Sequence, residues 1–453
     1  MSNPELKKTY TFPIGETLQT EDGLSYRITG LLGRGGQGEV YRVSGPDGEF
    51  AVKWYHADRC LAKIDAQAFY KNLRRNVQNG IPKLSSGDTA TQFIWPLRMI
   101  EPKDHSFGYL MKIFPPDYEP LKNVIFMRRK DSQTGQITRL RWESWFTCVT
   151  AALNITRAFE ILHASGLSYQ DLNEGGISVN MKTGDALICD CDNVSPDKTN
   201  LGIRGVMEYM APEVVRGEKL PDRWTDQYSL AIILFRLFLH DHPMKGVESM
   251  SLHNSDHLSQ READIMIFGS RPHYSLASRN NQNPPDKAMN ADVCRLCYTF
   301  PLVLMDAFEQ VFTEGINEPK KRLTATEWRK VLLDVRDHLI QVDGREQFYG
   351  VRRNKKLPEE CRTLVYPLGK QVLCMPGKVL YQYHTDEYGT DFKTPVGKII
   401  PTNKPGFIGL YNATGKPIEF SKDGKTGICQ HQGRMPLLPG MKLTINRLNI
   451  EVK

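Results

Sequence analysis

Two acidic positions in the middle of the sequence constrain this chain more than any other feature. Asp171 lies in a predicted loop after an apolar helical segment, and Asp190 and Asp192 follow a short predicted strand. The turn signal at 183–185 predicts a β-hairpin between them, which would bring these acids to one cleft. One carboxylate could then orient a hydroxyl while another holds a divalent metal on the phosphates of a nucleotide. An ordinary solvated loop is the alternative, because Asp-Leu-Asn alone is common in loops.

Composition predicts a large globular protein and excludes several classes of function. The chain has 453 residues, of which 40% are hydrophobic, and a formal net charge of +7. This mild charge, without a long basic run interleaved with aromatic residues, argues against nucleic-acid binding. Nine scattered cysteines, an odd number, predict free thiols in a reducing compartment. The N-terminus has no apolar signal core, and the most apolar run, 229–239, is too short for a bilayer, so we expect a cytoplasmic protein without membrane contact.

A glycine-rich turn between two alternating segments marks the first part of the chain. The glycines are Gly33, Gly35, Gly36 and Gly38. Dinucleotide-binding folds use similar spacing, but their fingerprint runs into a helix, whereas residues 39–43 and 50–55 alternate as strands. Backbone amides at such a turn can approach phosphates, and Lys53 on the adjacent strand can reach the same anions.

These features resemble the small lobe of eukaryotic-type Ser/Thr protein kinases, in an atypical bacterial branch. The resemblance implies that Lys53 binds the phosphates of ATP and that Val40 and Ala51 pack on its base. Residues 93–96 and 107–113 read as two more strands. The resemblance places a hinge after the second, with Met111 as gatekeeper and the backbone of Lys112 and Ile113 on the adenine edge. Kinases place a glutamate in the helix that follows Lys53. The predicted helix at 65–77 has none, and its candidate substitutes are Asp65, Gln67 and Asn72.

The resemblance extends through the acidic positions, with four departures. Tyr169-Gln170-Asp171 stands in place of His-Arg-Asp, which implies that Asp171 is the catalytic base. Gln170 replaces an arginine that pairs with a phosphorylated activation loop, so we do not expect activation by that route. Asn173 stands where a lysine contacts the transferred phosphate, and Gly176 stands where an asparagine binds metal.

Asp190-Cys191-Asp192 stands in place of Asp-Phe-Gly, which implies that Asp190 binds Mg²⁺, with Mn²⁺ as an alternative. Asp192 is a second candidate ligand, unless Asp192 and Asn193 only form a turn. In the rest of the large lobe, Glu213 is expected to pair with Arg322, and Asp226 is expected to steady the catalytic loop. The polar stretch 246–292 reads as an insertion without chemistry of its own.

The predicted fold class is α+β, a bilobal protein-kinase-like fold followed by a small all-β sandwich. The predicted boundaries are 1–114 for the small lobe, 115–340 for the large lobe, 341–360 for a charged linker and 361–453 for the sandwich. The sandwich resembles a degenerate forkhead-associated domain. Lys398 follows Gly397 where that family has Gly-Arg, which favours a regulatory or partner surface over a phosphopeptide reader.

The resemblance implies an ATP- and Mg²⁺-dependent Ser/Thr protein kinase of bacterial signalling or stress response. The alternative is a pseudokinase that binds nucleotide and acts as a scaffold, and a weaker one makes the sandwich the functional part. By family analogy, phosphatases or von Willebrand-type proteins are expected partners. The sequence does not identify the protein substrate.

Overall fold

The computed structural model describes residues 11–56, 66–131, 134–202, 205–352 and 356–453 of the chain. An antiparallel sheet with one helix comes first, a mostly helical body follows, and two packed sheets come last. This order is the α+β architecture that the sequence predicts.

The N-terminal sheet forms the small lobe. Its strands are β1 (Thr17–Gln19), β2 (Ser25–Arg34), β3 (Gly38–Gly45), β4 (Gly48–Tyr55), β5 (Arg98–Lys103) and β6 (Ser106–Met111). They run antiparallel in the order β1-β2-β3-β4-β6-β5. Side chains alternate between the two faces of a strand, so Val52 and Trp54 enter one core while Ala51 and Tyr55 enter another. Lys53 therefore shares a face with Ala51 and Tyr55.

One helix, α1 (Ala66–Asn79), packs on the face of the sheet that carries Lys53. Its buried side chains include Phe69 and Leu73, which are four residues apart and so lie on one side of the helix. The prediction of a strand at 93–96 is wrong. Pro96 cannot donate to a sheet, and the amide of Ile94 donates to the carbonyl of Ile188 in the large lobe, 2.7 Å away.

The large lobe is built around two long buried helices. Its helices are α2 (Leu121–Ile125), α3 (Trp145–Ala164), α4 (Pro212–Val215), α5 (Arg223–Leu239), α6 (Val247–His253), α7 (Gln260–Ile265), α8 (Ala291–Leu296), α9 (Leu302–Phe312), α10 (Glu314–Asn317) and α11 (Ala325–Asp337). Ser144 and Thr147 form a capping box that starts α3, and Gly166, with a φ of 74°, follows its end. Asp222 caps α5 in the same way.

Seven short strands complete the described part of this lobe. They are β7 (Glu119–Pro120), β8 (Arg128–Lys130), β9 (Ile137–Arg139), β10 (Leu167–Ser168), β11 (Ile177–Val179), β12 (Ala186–Ile188) and β13 (Ser195–Pro196). β11 pairs with β12 on one side and with β7 on the other. The predicted hairpin between Asp171 and Asp190 is therefore present.

Two predictions of irregular chain in this part need correction. The stretch 246–292 contains α6, α7 and a π-helical turn at 266–270, and a capping box of Ser259 and Glu262 starts α7. The predicted linker contains a hairpin of β14 (Leu339–Val342) and β15 (Arg345–Phe348). Its turn residues Asp343 and Gly344 both have positive φ, as an Asp-Gly hairpin turn requires. Phe348 enters the core of the large lobe.

The C-terminal domain is a β-sandwich, as predicted. Its strands are β16 (Arg362–Val365), β17 (Gln371–Cys374), β18 (Val379–Tyr381), β19 (Pro395–Pro401), β20 (Ile408–Asn412), β21 (Ile418–Lys422), β22 (Lys425–Cys429), β23 (Arg434–Leu437), β24 (Lys442–Ile445) and β25 (Leu448–Val452). One sheet has the order β17-β16-β25-β24-β21-β22 and the other β18-β19-β20-β23. A core of side chains from both sheets lies between them. The resemblance to forkhead-associated domains stays a prediction.

Buried polar groups join the sandwich to the large lobe. We call Asp337, Lys370, Lys378, Tyr383 and His384 the junction cluster. The hydroxyl of Tyr383 donates to Asp337 over 2.6 Å, and Nε2 of His384 lies 2.9 Å from the same carboxylate oxygen. Nζ of Lys378 donates to the main-chain carbonyl of Asp337 (3.2 Å) and to those of its neighbours at 336 and 339. The sandwich thus completes the end of α11.

An arginine sandwiched between aromatic rings strengthens this junction. The guanidinium of Arg336 lies 4.3 Å from the ring of Phe146 in the large lobe and 4.0 Å from the ring of Tyr381 in the sandwich. Cation–π contacts of this kind are strongest when the cation is desolvated, and Arg336 is only 2% exposed.

Among the described helices, none has the length and apolarity to cross a membrane.

Candidate active site

Asp226 of α5 holds the loop that carries Asp171 through hydrogen bonds to the backbone of that loop. The carboxylate of Asp226 accepts hydrogen bonds from the amides of Tyr169 (2.7 Å) and Gln170 (2.8 Å). Its Oδ2 also lies 3.1 Å from Nε2 of His163. Gln170 has a φ of 73°, which is rare for a residue with a side chain. Asp226 therefore does what the sequence predicts: it fixes the backbone that presents Asp171.

Asp171 is a carboxylate in an unusual environment. Burial, together with the charges of Asp190 and Asp192, raises the pKa of Asp171 to about 6. The side-chain amide of Asn173 donates to Oδ1 of Asp171 over 3.2 Å and opposes this shift. A carboxyl group with a pKa near neutrality can accept a proton during a reaction and release it afterwards.

Lys53 reaches across the cleft to both acids of the second pair. Its Nζ lies 3.0 Å from Oδ1 of Asp190 and 2.8 Å from Oδ2 of Asp192. Burial lowers the pKa of Lys53, but the acids, Asp192 above all, outweigh this and raise it well above its ordinary value. Lys53 is therefore a cation, and the same face of β4 contributes Tyr55, whose hydroxyl donates to Asp192.

The two acids differ in exposure. The side chain of Asp192 is 1% exposed and that of Asp190 is 52% exposed. Asp190 has a φ of 55°, and the residues that follow form a 3₁₀ turn that directs Asp192 to Lys53. Asp192 is thus an internal partner of Lys53, whereas Asp190 remains open to solvent.

Helix α1 supplies no carboxylate to Lys53 within its described residues. Of the three predicted substitutes, Asp65 lies outside the described residues, and Gln67 is exposed. Asn72 is buried, but its side chain donates to the carbonyl of Val194 over 2.8 Å, as Asn76 does over 2.7 Å. The helix is therefore fastened to the chain just after Asp192 rather than to Lys53.

Tyr169 explains the glycine at position 176. A Cβ on Gly176 would lie 3.0 Å from the hydroxyl oxygen of Tyr169, which donates to the carbonyl of Cys189. The tyrosine hydroxyl therefore lies where a longer side chain at 176 would begin. A metal-binding asparagine at this position would have to displace it.

Gln170 binds the segment after Asp192 through a network of neutral hydrogen bonds. Its side-chain amide donates to the hydroxyl of Ser195 (2.7 Å) and to the carbonyl of Thr199 (2.5 Å). Its carbonyl oxygen accepts from the side-chain amide of Asn200 over 2.8 Å. This buried residue, 4% exposed, therefore orders the segment without a phosphate group.

The glycine-rich turn joins β2 and β3 above these residues. Its amide–carbonyl bond from Gly35 to Gly38 is 2.8 Å long. A Cβ on Gly38 would lie 2.0 Å from the carbonyl oxygen of Trp54, so packing requires glycine there. A Cβ on Gly33 or Gly36 would meet no atom within 4 Å. The fold does not explain those glycines, which leaves room above the turn for a ligand.

Small apolar residues continue the cleft from the turn to the hinge. Ala51 lies opposite Met111 in the sheet, and Val40 lies opposite Lys53. Val40, Ala51, Met111 and the partly buried Ile113 belong to one cluster, and Lys112 between them is exposed. The structure thus brings the predicted base-binding residues to one side of the cleft.

Asp190 offers oxygen atoms where a divalent metal would be needed. No group of three or more His, Cys, Asp or Glu side chains arranged to hold a metal occurs in the described parts of the chain. One carboxylate is nevertheless sufficient when phosphates and water supply the other ligands, as is usual for Mg²⁺. Asp190 fits this requirement because half of its side chain is exposed, whereas Asp192 is enclosed.

Comparison with known proteins agrees with this geometry. Residues 122–331 match the family model described as the protein kinase domain. The predicted resemblance to protein kinases, and with it the fold class, is confirmed. Serine/threonine-protein kinase PkaB of Streptomyces coelicolor is 24% identical over 237 residues, which are 49% of this chain and 51% of that protein.

Two other curated relatives match shorter parts of the chain. Mitogen-activated protein kinase kinase kinase 17 of Arabidopsis thaliana is 25% identical over 191 residues, 42% of this chain and 45% of that one. The chain thus spans about half, or less, of the curated relatives it matches; for Protein kinase C-like 1 of Candida albicans (30% identical, 23% of this chain) the share is 10%. The solved kinase domain of Mycobacterium tuberculosis PknI is 17% identical, with 72% of this chain and 99% of that chain covered and a TM-score of 0.42.

Proposed function

We propose that this chain is an ATP-dependent protein kinase that transfers the γ-phosphoryl group to Ser or Thr hydroxyls of proteins. The observation that carries the proposal is the meeting of Lys53 with Asp190 and Asp192 beside Asp171. A buried cation that two acids hold in place, next to a carboxyl with a raised pKa, suits phosphoryl transfer. The open tip of the glycine turn supports a nucleotide above Lys53.

In this mechanism Lys53 binds the phosphates while Asp192 and Tyr55 hold it in position. Because Asp192 is enclosed, Lys53 keeps one partner when phosphate oxygens replace its contact with Asp190. Asp190 would then hold the divalent metal, Mg²⁺ or Mn²⁺, which neutralises charge on the phosphates. Val40, Ala51 and the backbone at Lys112 and Ile113 would bind the base.

Asp171 acts on the acceptor in this proposal. Its carboxylate takes the proton of the acceptor hydroxyl as the new bond from oxygen to the γ-phosphorus forms. The bond between that phosphorus and the β–γ bridging oxygen breaks, and ADP leaves with the electron pair. Asn173 orients the carboxylate through its hydrogen bond to Oδ1, and it would contact the transferred phosphate, as the resemblance to kinases implies.

The test is incubation of the full chain with γ-labelled ATP and Mg²⁺ or Mn²⁺. We expect label on the wild-type protein or on added protein substrates, and none with Lys53→Ala. Lys83→Ala, which removes an exposed lysine of the same lobe, should leave labelling unchanged. Wild-type protein that transfers no label with either metal would overturn the proposal.

The second candidate is a pseudokinase that binds nucleotide and acts through its conformation. The filled space at Gly176 and the helix α1 without a carboxylate favour it, because the kinase family uses both missing groups. Tight ATP binding by calorimetry without any transfer would select this function. The next step would then be to find a partner protein whose affinity for this chain changes when the nucleotide binds.

Location and partners are part of the same proposal. The described cysteines are all free thiols, which supports a reducing compartment such as the cytoplasm. Phosphatases and von Willebrand-type proteins are proposed partners by family analogy, and the sandwich is proposed as a regulatory surface. These partners are tested by co-purification with the wild-type full chain and with variants that carry substitutions on the sandwich surface.

A further inference from the structure

An exposed basic ribbon projects from the large lobe between α2 and α3. It consists of β8 and β9, in which every residue is exposed. In its register Arg128 lies opposite Arg139, and Lys130 lies opposite Ile137. Because side chains alternate along a strand, Arg128, Lys130, Arg139 and Ile137 share one face, which we call the ribbon face.

The ribbon face carries positive charge that the described residues do not balance with ion pairs. Two arginines directly opposite each other repel and destabilise a strand pair. In the described part of the chain, no carboxylate forms an ion pair with Arg128, Lys130 or Arg139. Arg129, on the opposite face, does pair with Glu119, at 3.1 Å. The contrast shows that one face is anchored to the lobe while the other is left positive.

Apolar side chains accompany these charges. Phe126 is 49% exposed and Ile137 is 58% exposed, and the guanidinium of Arg128 lies 5.7 Å from the centre of the Phe126 ring. A surface that combines cations with exposed apolar groups suits a polypeptide, which can supply both carboxylates and apolar side chains.

The ribbon is anchored close to the catalytic loop. Glu119, the partner of Arg129, belongs to β7, and β7 pairs with β11. β11 begins at residue 177, directly after the loop that carries Asp171 and Asn173. The ribbon is therefore tied, through Glu119 and β11, to the segment that follows the catalytic loop.

We propose that the ribbon face binds an acidic segment of the protein substrate and so selects the substrate class. This proposal rests on the proposed kinase function. A nucleic acid fits less well, because tight binding to it usually neutralises about 6–10 phosphates, more than this short ribbon can reach. Within the described residues β8 and β9 pair only with each other, so their outer edges offer backbone groups to an extended peptide.

The experiment measures binding and transfer separately. The probes are two synthetic peptides with one Ser or Thr acceptor, one rich in glutamate and the other with glutamine at the same positions. Binding is measured without ATP, by calorimetry at low and high salt, and transfer is measured with γ-labelled ATP. The variants of the full chain are Arg128→Ala/Lys130→Ala/Arg139→Ala and a matched control, Lys287→Ala/Lys320→Ala/Lys330→Ala, on exposed lysines elsewhere on the large lobe.

We expect wild-type protein and the control to prefer the glutamate peptide about tenfold, the sum of three exposed ion pairs. The ribbon variant should lose this preference, and its KM for the glutamate peptide should rise while kcat stays the same. High salt should remove the preference in the wild type. The acidic peptide should also bind more tightly than an oligonucleotide or an anionic vesicle.

The outcomes separate the two proposals. A preference in binding that depends on the ribbon, without transfer to any substrate, would leave the ribbon site standing and overturn the kinase proposal. Transfer without a preference, or a preference that survives in the ribbon variant, would overturn the ribbon site. Stronger binding of the oligonucleotide or the vesicle would overturn it as well. If the triple variant fails to fold, Lys130→Glu and the salt dependence of the wild type give the same decision.

Discussion

Asp192 in the cleft and Asp337 in the junction cluster are both fully buried carboxylates. Each accepts a hydrogen bond from a tyrosine, Tyr55 or Tyr383, and each lies beside a lysine. Their surroundings differ in the balance of charge. Around Asp192 the acids outnumber the one lysine, because Asp190 and Asp171 lie nearby. Around Asp337 the basic groups His384, Lys370 and Lys378 outnumber the acids.

The pKa values follow this balance. Acidic neighbours and burial raise the pKa of Asp171 to about 6. At the junction, burial acts in the same direction, but His384 and Lys370 outweigh it and hold the pKa of Asp337 far below its usual range. An excess of acid leaves a site that can take a proton or an external cation. An excess of base closes the site, so that its function is to hold two domains together.

The largest effect is expected at Asp171. Asp171→Asn should lower phosphoryl transfer by about 10³-fold, in the range for loss of a general base, while ATP affinity by calorimetry changes little. Asp104→Asn, an exposed aspartate of the small lobe, is the control and should keep wild-type activity. Transfer that survives Asp171→Asn would remove this residue from the role of base.

Asp337→Asn should destabilise the protein more than any change in the cleft. Removing one partner from a buried ionic cluster costs about 3–5 kcal/mol, since Lys370 and His384 lose the carboxylate that they contact. Asp192→Asn should cost only about 1–2 kcal/mol, because Lys53 still has Asp190. Urea unfolding of both variants measures the difference. Equal losses would mean that the two clusters have the same structural role.

Variants of the two acids of the cleft, Asp190 and Asp192, should differ in how their activity depends on metal concentration. Asp190→Asn should raise the metal concentration needed for half-maximal transfer, and excess Mn²⁺ should restore part of the activity. Asp192→Asn should lower transfer about 10–100-fold at every metal concentration, because Lys53 loses the partner that holds it in position while the phosphates bind. Restoration of Asp192→Asn by Mn²⁺ would return Asp192 to the role of metal ligand.

Acidification should affect the catalytic cleft and the junction cluster through pKa shifts of opposite direction. The raised pKa of Asp171 means that transfer should fall tenfold per pH unit below about 6, where the base is protonated. Burial lowers the pKa of His384, so its neutral form stabilises the junction above its ordinary pKa and this stability is lost as pH falls. Unfolding free energy should therefore decrease between pH 7 and 5. His384→Gln should flatten that decrease without moving the pH profile of transfer.

Motifs with fixed spacing were predictable from the sequence. Lys53, Asp171 and Asp226 lie where the pattern places them, and Glu213 pairs with Arg322 through two 2.8 Å hydrogen bonds. The turn of Asp192 towards Lys53 was not predictable, because it depends on the positive φ of Asp190. No pattern in this sequence predicts the left-handed backbone conformation of this aspartate.

Other residues had a signal that the sequence reading missed. Tyr55 is two positions after Lys53, so a strand places it on the same face. Asp343-Gly344 between alternating residues is a strong hairpin signal inside a segment predicted to be a linker. The ribbon face escaped notice because its charges are split between two short strands and meet only when these strands pair.

The hydrogen bonds of Gln170 have a consequence for control. They order the segment at 195–200 with groups that the chain carries from synthesis onward. The order of this segment therefore does not depend on a phosphate group, so a phosphatase would not remove it. If the chain transfers phosphate, the rate of transfer is then controlled by the availability of the acceptor protein and not by phosphorylation that orders this segment.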